Sequence, residues 1–459
     1  MSTIAAVSTA PGIGGIGIVR MSGEDSFNIL EKIFVPKTAE NIADIEGYRI
    51  KYGNIIDPKT LSVIDEVLVS YFRAPKSYTT EDMCEINSHG SFVVAREILE
   101  LCLQNGAELA EPGEFTKRAF LNGRIDLSEA EAAADIINSR TKIEAKAAIN
   151  QLEGFLSKQI KDIRELLLDL LAHVEANIDY PEYDIEEVTA AKVRAGLEII
   201  QTKLNELLQS FEDGKVIKEG IKIAIIGSPN VGKSSLLNSI VREERAIVTD
   251  IAGTTRDSIE EVVTIKGIPF KIADTAGIRH SDNIVEKIGI EKAKKIAEGS
   301  DVIIAMFDSS KELSDEDSEI LDFIKDKKAI IVLNKIDLTD NHYTFLHSYI
   351  PTLKMPIIEM SVTENIGIDE LYDELVKMFN INEINLDNEN IVTNVRHKNL
   401  IEQTAKSLEE AENTVNSQMP IDIIAINIKD AIENLSKITG ENVSEDVIAE
   451  IFSKFCLGK

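Results

Sequence analysis

The eight residues Gly227-Ser-Pro-Asn-Val-Gly-Lys-Ser234 constrain the fold more than any other part of the chain, because they fit the phosphate-cradling pattern G-x-x-x-x-G-K-[ST] in its working context. The apolar run Ile221 to Ile226 leads in as a buried strand, and Ser235 to Ile240 leads out as a helix. Between them the loop from Gly227 through Asn230, Val231 and Gly232 to Ser235 turns backbone N–H groups and a helix N-terminus toward phosphates. Lys233 then reaches the outer phosphates, and Ser234 is a ligand for Mg²⁺. A plain glycine-rich turn between strand and helix explains the glycines but not the Lys-Ser pair.

The base follows from Asn334-Lys335-Ile-Asp337, placed after the apolar strand Ala329 to Leu333. A carboxylate at Asp337 accepts from both N1–H and the 2-amino group of guanine, and adenine has a donor at neither place. Between the two loops, Ile268 to Ala273 reads as a strand ending in Asp274, an acid for the magnesium shell, and Gly277 offers an N–H to the γ-phosphate. Ser361-Val-Thr363 stands where the guanine-base loop usually reads Ser-Ala. Its contact to guanine O6 comes mostly from backbone N–H, so valine is expected to be tolerated at some loss of affinity. In this order and spacing the four segments resemble the translation-factor-related GTPases.

At 459 residues the chain is too long for one core and suggests about three domains. No run approaches the ~18 uninterrupted apolar residues of a membrane span, and the N-terminus lacks a basic-then-apolar signal, so a cytoplasmic protein with no membrane association is expected. Cys84, Cys102 and Cys456 are scattered and odd in number, which argues against a disulfide framework or a zinc site. With 79 acidic against 49 basic residues the formal charge is −30, so any nucleic-acid partner must meet a local basic surface.

Residues 1–118 mix short β-like runs (Gly17 to Arg20, Val67 to Phe72) with a helical stretch from Val93 to Gln104, an α+β unit. From Ser128 the texture changes. Ser128-Glu-Ala-Glu131 has the pattern of a capping box opening a long helical segment to about Ile178, and after Pro181 a second helix runs to about Phe211. An α/β GTPase unit at 215–380 follows, then helices again to the C-terminus. The economical reading is a multidomain chain whose α-helical bundle domain, 119–214 with 381–459, is split by the inserted α/β P-loop GTPase domain, since the last ~70 residues make a marginal core alone. The apolar spacing between Leu152 and Leu171 fits bundle core better than a coiled-coil seam.

Read with the GTPase motifs, Ile4 to Gly23, Ala110-Glu-Pro-Gly-Glu-Phe-Thr to Leu127, Gly253-Thr-Thr-Arg-Asp257 and the terminal Cys456-Leu-Gly-Lys459 make the whole chain resemble the tRNA-modification GTPases of the MnmE (TrmE) family. The resemblance implies a tetrahydrofolate-binding N-terminal domain and a flavoprotein partner, MnmG. Together the two install an aminomethyl-type group, carboxymethylaminomethyl or aminomethyl, at C5 of the wobble uridine of certain tRNAs, with a one-carbon unit from 5-formyltetrahydrofolate or a related tetrahydrofolate. It assigns folate contacts to Arg20, Glu85, Arg124 and Lys459, with Arg124 where many members carry lysine. Residue chemistry alone would leave Arg20 and Glu85 as ordinary surface charges. Cys456 is a functional thiol by family position or a small buried hydrophobe by its own chemistry. His89 is assigned no catalytic role, because a lone histidine near a turn is more often structural.

The residue after Asp274-Thr-Ala-Gly277 is Ile278, which cannot orient water. The family pattern gives that task to Glu286, acting through a water, although an acid on an exposed switch helix is the plain alternative. In place of an arginine finger the resemblance implies K⁺ held by Asn230, Thr249, Ile251 and Thr254, with Thr255 joining Ser234 on Mg²⁺, and a homodimer whose GTPase domains meet across the nucleotide. A second reading, from another class, is a GTP-controlled assembly factor of ribosome biogenesis. The Pro-Gly-Glu-Phe-Thr block and the C-terminal Cys-Leu-Gly-Lys favour the modification enzyme.

Overall fold

A computed structural model describes residues 1–37, 47–179, 186–243, 261–273, 294–338, 355–379, 391–417 and 420–458. Thr249, Ile251, Thr254, Thr255, Asp274, Gly277, Glu286 and Lys459 lie outside the described residues. The chain forms two compact units, one of Met1–Ile137, Gln151–Val193 and Ser407–Lys459, the other of Asn138–Asn150 and Arg194–Lys406.

The first unit is built on a seven-stranded sheet: β1 (Ile4–Val7), β2 (Ile16–Ser22), β3 (Phe34–Pro36), β4 (Arg49–Ile56), β5 (Val63–Phe72), β6 (Met83–His89) and β7 (Glu108–Leu109). Their spatial order is β3-β4-β5-β6-β2-β1-β7, antiparallel except for the β1–β7 pair. Alternation decides the faces. Val67, Val69 and Tyr71 of β5, with Cys84 and Ile86 of β6, turn inward against helices Ser26–Ile33 and Phe92–Gln104, while Leu68 faces out. Cys84 and Cys102 are free thiols inside this core, and burial pushes Cys102 up to about 12.

The helical segment expected from Ser128 to Ile178 is three helices, Leu127–Asn138, Lys142–Leu152 and Phe155–Asp179. Its capping box also sits two residues earlier than expected. Asp126 N–H donates to Glu129 Oε2 and Glu129 N–H to Asp126 Oδ1, both at 2.9 Å. Ser128 is inside the first turn, its hydroxyl bonded to Ser157, because Asp126 is the better placed acceptor. Leu156, Ile160, Ile163, Leu167, Leu170 and Val174 form the buried stripe of Phe155–Asp179. Helix Ile421–Thr439 packs against it in antiparallel sense, with Arg164 paired to Glu441 and Glu175 to Lys429. The stripe is therefore core within one chain, as its spacing suggests. Helix Glu445–Ser453 closes the unit through Ile448 and Phe452 against Leu127 and Ala130.

In the second unit the helix that begins at Glu186 continues to Glu219, past the expected end near Phe211, and delivers the chain to β8 (Ile221–Gly227). With β9 (Glu261–Ile265), β10 (Ile268–Ile272), β11 (Val302–Asp308), β12 (Ala329–Asn334) and β13 (Ile357–Met360) it forms a sheet of order β13-β12-β11-β8-β10-β9, parallel except at the β9 edge. The strands are apolar on both sides. Ile223, Ile225, Ile304, Met306, Ile330 and Val332 enter one core; Ala224, Ile226, Ile303, Phe307, Ile331 and Leu333 enter the other. A doubly wound α/β sheet results, with ligand-binding loops at its strand C-termini. No described helix is long and apolar enough to cross a membrane.

Candidate functional site

The phosphate loop leaves β8 at Gly227 and enters helix Lys233–Glu243. Its backbone needs two unusual conformations, Asn230 at φ 62° and Gly232 at φ 107°. At Gly232 a Cβ would lie 2.3 Å from Asn334 Nδ2, so only glycine fits. Lys233 Nζ donates to the carbonyls of Gly227 and Ser228, each at 2.8 Å, which pre-orders it across the loop. Burial lowers the pKa of this ammonium, while the Glu316 and Asp317 carboxylates pull the other way. Val231 is buried under the loop, and Ser234 and Ser235 are exposed at the helix N-terminus.

Polar residues at and just after the end of β12 meet this loop, β11 and the Ser361–Thr363 loop. Asn334, only 3% exposed, donates from Nδ2 to Val231 O at 2.7 Å and accepts at Oδ1 from Val362 N–H at 3.2 Å. Lys335 donates from Nζ to Asn230 O at 2.7 Å and to Asp308 at 2.6 Å. Burial opposes ionisation of Asp308, but the bonds from Lys335 and Ser310 outweigh it and hold the carboxyl below the usual range. Asp337 is exposed and accepts from Ser361 Oγ. The expected positions Gly227, Asn230, Val231, Gly232, Lys233, Asn334, Lys335, Asp337 and Ser361 are thus brought together, and Ser234 and Ser235 open the adjoining helix.

Two further groups of this site went unread in the sequence. Asp308 orients Lys335 from the end of β11. Asp317 accepts from Ser228 Oγ at 2.7 Å while capping helix Asp315–Ile324 through Ser314, so the first turn of the phosphate loop is pinned to a helix start. The pattern Ser314-x-x-Asp317 carries a capping signal, but nothing local says what else that carboxylate meets.

In the first unit Arg20 and Glu85 are direct cross-strand partners of β2 and β6. Arg20 Nε and Nη2 both bond Glu85 Oε1, at 2.9 and 2.8 Å, with the side chains 14% and 19% exposed. They form a partly buried ion pair, not the two ordinary surface charges their chemistry suggested. The C-terminal segment docks beside them. Gly458 O accepts from Arg20 Nη1 at 3.2 Å and from Ser8 Oγ at 2.9 Å, and Cys456 O accepts from Gly113 N–H. Cys456 itself is an exposed, free thiol, so the buried-hydrophobe reading does not hold. Arg124 is exposed, its guanidinium 4.5 Å from the Tyr78 ring centroid. His89 Nδ1 is paired with Asp65 at 2.7 Å on the surface.

Residues 127–456 match the family described as MnmE helical domain, and residues 3–124 match that described as GTP-binding protein TrmE N-terminus. The tRNA modification GTPase MnmE of Acetivibrio thermocellus is 51% identical over 458 residues, 100% of this chain and 99% of that protein. Proteins of the same name from Alkaliphilus oremlandii and Thermoanaerobacter pseudethanolicus are each 48% identical, over 100% of this chain and 99% of theirs. With its phosphate loop, the Asn334–Asp337 loop beside it and this similarity along its full length, the chain belongs to the MnmE family of tRNA modification GTPases.

Proposed function

We propose that this GTPase works with the flavoprotein MnmG to add an aminomethyl-type group, carboxymethylaminomethyl or aminomethyl, to C5 of the wobble uridine of certain tRNAs. The one-carbon unit comes from a tetrahydrofolate. The observation that carries the reading is the Arg20–Glu85 pair closed by the Gly458 carbonyl, which joins three distant stretches of chain around one partly buried charge pair. That donor set fits a folate. A carboxylate grips the adjacent N–H donors of a pterin, and Arg20, Arg124 and Lys459 offer cations to glutamate carboxylates. Cys456 stands at the same tail as an exposed thiol.

The GTP site fits an anionic nucleotide: Lys233 is ordered at the loop and Ser234 is exposed at a helix N-terminus. In this reading Ser234 and Thr255 hold Mg²⁺, with Asp274 in its outer shell, and Gly277 donates to the γ-phosphate. Asn230, Thr249, Ile251 and Thr254 hold K⁺, and Glu286 positions the attacking water. The bound cations supply fixed positive charge against the charge that develops between the β- and γ-phosphates. Domains at 1–118, at 119–214 with 381–459, and at 215–380, a cytoplasmic homodimer and a complex with MnmG complete the proposal.

Reconstitution tests it. The chain, MnmG, unmodified tRNA, GTP and a tetrahydrofolate one-carbon donor should together add mass to the wobble uridine, read by mass spectrometry of digested tRNA. An unchanged nucleoside with all components active would refute the reading, and modification without this chain would assign the chemistry elsewhere.

A further inference from the structure

The loop between β5 and β6 carries Tyr78, whose ring has two guanidiniums within cation–π range, Arg124 Cζ at 4.5 Å and Arg20 Cζ at 5.6 Å from its centroid. The ring is held from several sides. Tyr78 Oη is hydrogen-bonded to Thr116 Oγ1 at 3.0 Å. Its neighbour Thr79 is buried, with its hydroxyl 2.6 Å from Ser22 Oγ and its carbonyl accepting from Asn122 Nδ2 at 2.7 Å. Glu81 accepts from Ser22 Oγ and from Arg118, a side chain 4% exposed that also bonds Glu114 and Ser2 O. This satisfied, largely buried network fixes the loop, and with it the ring.

The two arginines differ in what else restrains them. Arg20 is tied to Glu85 and to the Gly458 carbonyl. Arg124 is exposed, and its guanidinium lies over the ring from the turn after helix Glu114–Leu121. A free arginine side chain loses rotamer entropy when a ligand orders it. A ring that already orders the guanidinium removes part of that cost.

We infer that Tyr78 is a positioning residue: it holds the Arg124 guanidinium, and secondarily that of Arg20, ready for the carboxylates of a ligand whose ring portion is gripped at Glu85. This rests on the folate reading of the same site. It also gives arginine a geometry that lysine lacks, since a planar guanidinium can meet the ring with its face and still present a fixed fork of donors to a carboxylate, whereas an ammonium is a point charge.

Calorimetric titration of the full chain with 5-formyltetrahydrofolate, and with the pteroate analogue capped as its primary amide so that no carboxylate remains, tests it. Tyr78→Ala should weaken the folate about two- to fivefold, the size of a lost exposed cation–π contact, and Tyr78→Phe should restore it. With the pteroate analogue Tyr78→Ala should have no effect, which a merely structural role would not produce. Arg124→Ala should likewise weaken only the folate, and adding Tyr78→Ala to it should cost little more. Equal folate affinity of wild type and Tyr78→Ala, or equal losses with both ligands, would overturn the inference alone. Failure of the wild-type chain to bind either ligand would overturn the folate reading and this inference with it.

Discussion

Ser361 Oγ donates to Asp337 Oδ1 at 2.5 Å, so the carboxylate proposed to read guanine is aimed by a hydroxyl from the neighbouring strand's end. Ser361 is fully buried, its backbone pairs with Ile366, and its hydroxyl oxygen accepts from Glu364 N–H at 3.3 Å, which holds the side chain beside Asp337. Asp337→Asn should cut GTP affinity by roughly 10²-fold or more, since two charge-assisted hydrogen bonds of about 1.5–3 kcal/mol each are lost, and should raise affinity for xanthosine triphosphate. Ser361→Ala should lower GTP affinity by less and keep the guanine preference. Fluorescent-nucleotide displacement measures both, and unchanged GTP binding by Asp337→Asn would remove this loop from base recognition.

Gly458 sits at φ 84°, and a Cβ there would lie 2.3 Å from Val7 O. Gly458→Ala should therefore lift the C-terminal segment and take from Arg20 its carbonyl partner. The expected result is a loss of roughly tenfold or more in 5-formyltetrahydrofolate affinity, the scale of a charged hydrogen bond left unmade, with only a small change in melting temperature. Calorimetry giving wild-type affinity would show that the tail does not shape that site.

His89 gives the fold a pH dependence. Its hydrogen bond to Asp65 raises the imidazole above its ordinary 6.5. A raised folded value stabilises fully below pH 6.5 and is lost as pH rises through it. Asp65, opposed by burial but held down by hydrogen bonds from His89, stays ionised throughout that range. The melting temperature should fall slightly between about pH 6 and 8, and His89→Asn should flatten the slope. The effect is small because the ring is 73% exposed.

GTP turnover should be much faster in K⁺ than in Na⁺, on the order of 10³-fold if the cation replaces an arginine finger. Asn230 adopts a left-handed backbone that alanine resists, so Asn230→Gly is the cleaner variant. It removes the side-chain oxygen and keeps the carbonyl that Lys335 grips. That variant should lose the salt preference and still bind GTP. Equal wild-type turnover in the two salts would refute the cation role and direct attention to Arg256 and Arg279.

The GTPase half was legible because its signals are local. Strand, loop and helix around Lys233 announce themselves within twenty residues, and β8, β10 and β12 follow the expected apolar runs with ends one or two residues away. What escaped depends on long-range placement. Nothing near Asp317 indicates Ser228, 89 residues away, and nothing near Arg20 indicates Gly458, 438 residues away. The Ser128 cap failed for a subtler reason. Asp126-x-x-Glu129 and Ser128-x-x-Glu131 overlap in register and rank alike as caps, and the helix starts at the Asp126 pair.

The most direct test of the whole account is nucleoside mass spectrometry of tRNA from cells lacking this chain, compared with the same cells given it back. Cells lacking the chain should lose a C5-substituted wobble uridine, restored by the wild-type chain and not by Asp337→Asn. Unchanged tRNA nucleosides accompanied by defective ribosomal particles would contradict it and leave a GTP-controlled assembly factor in its place.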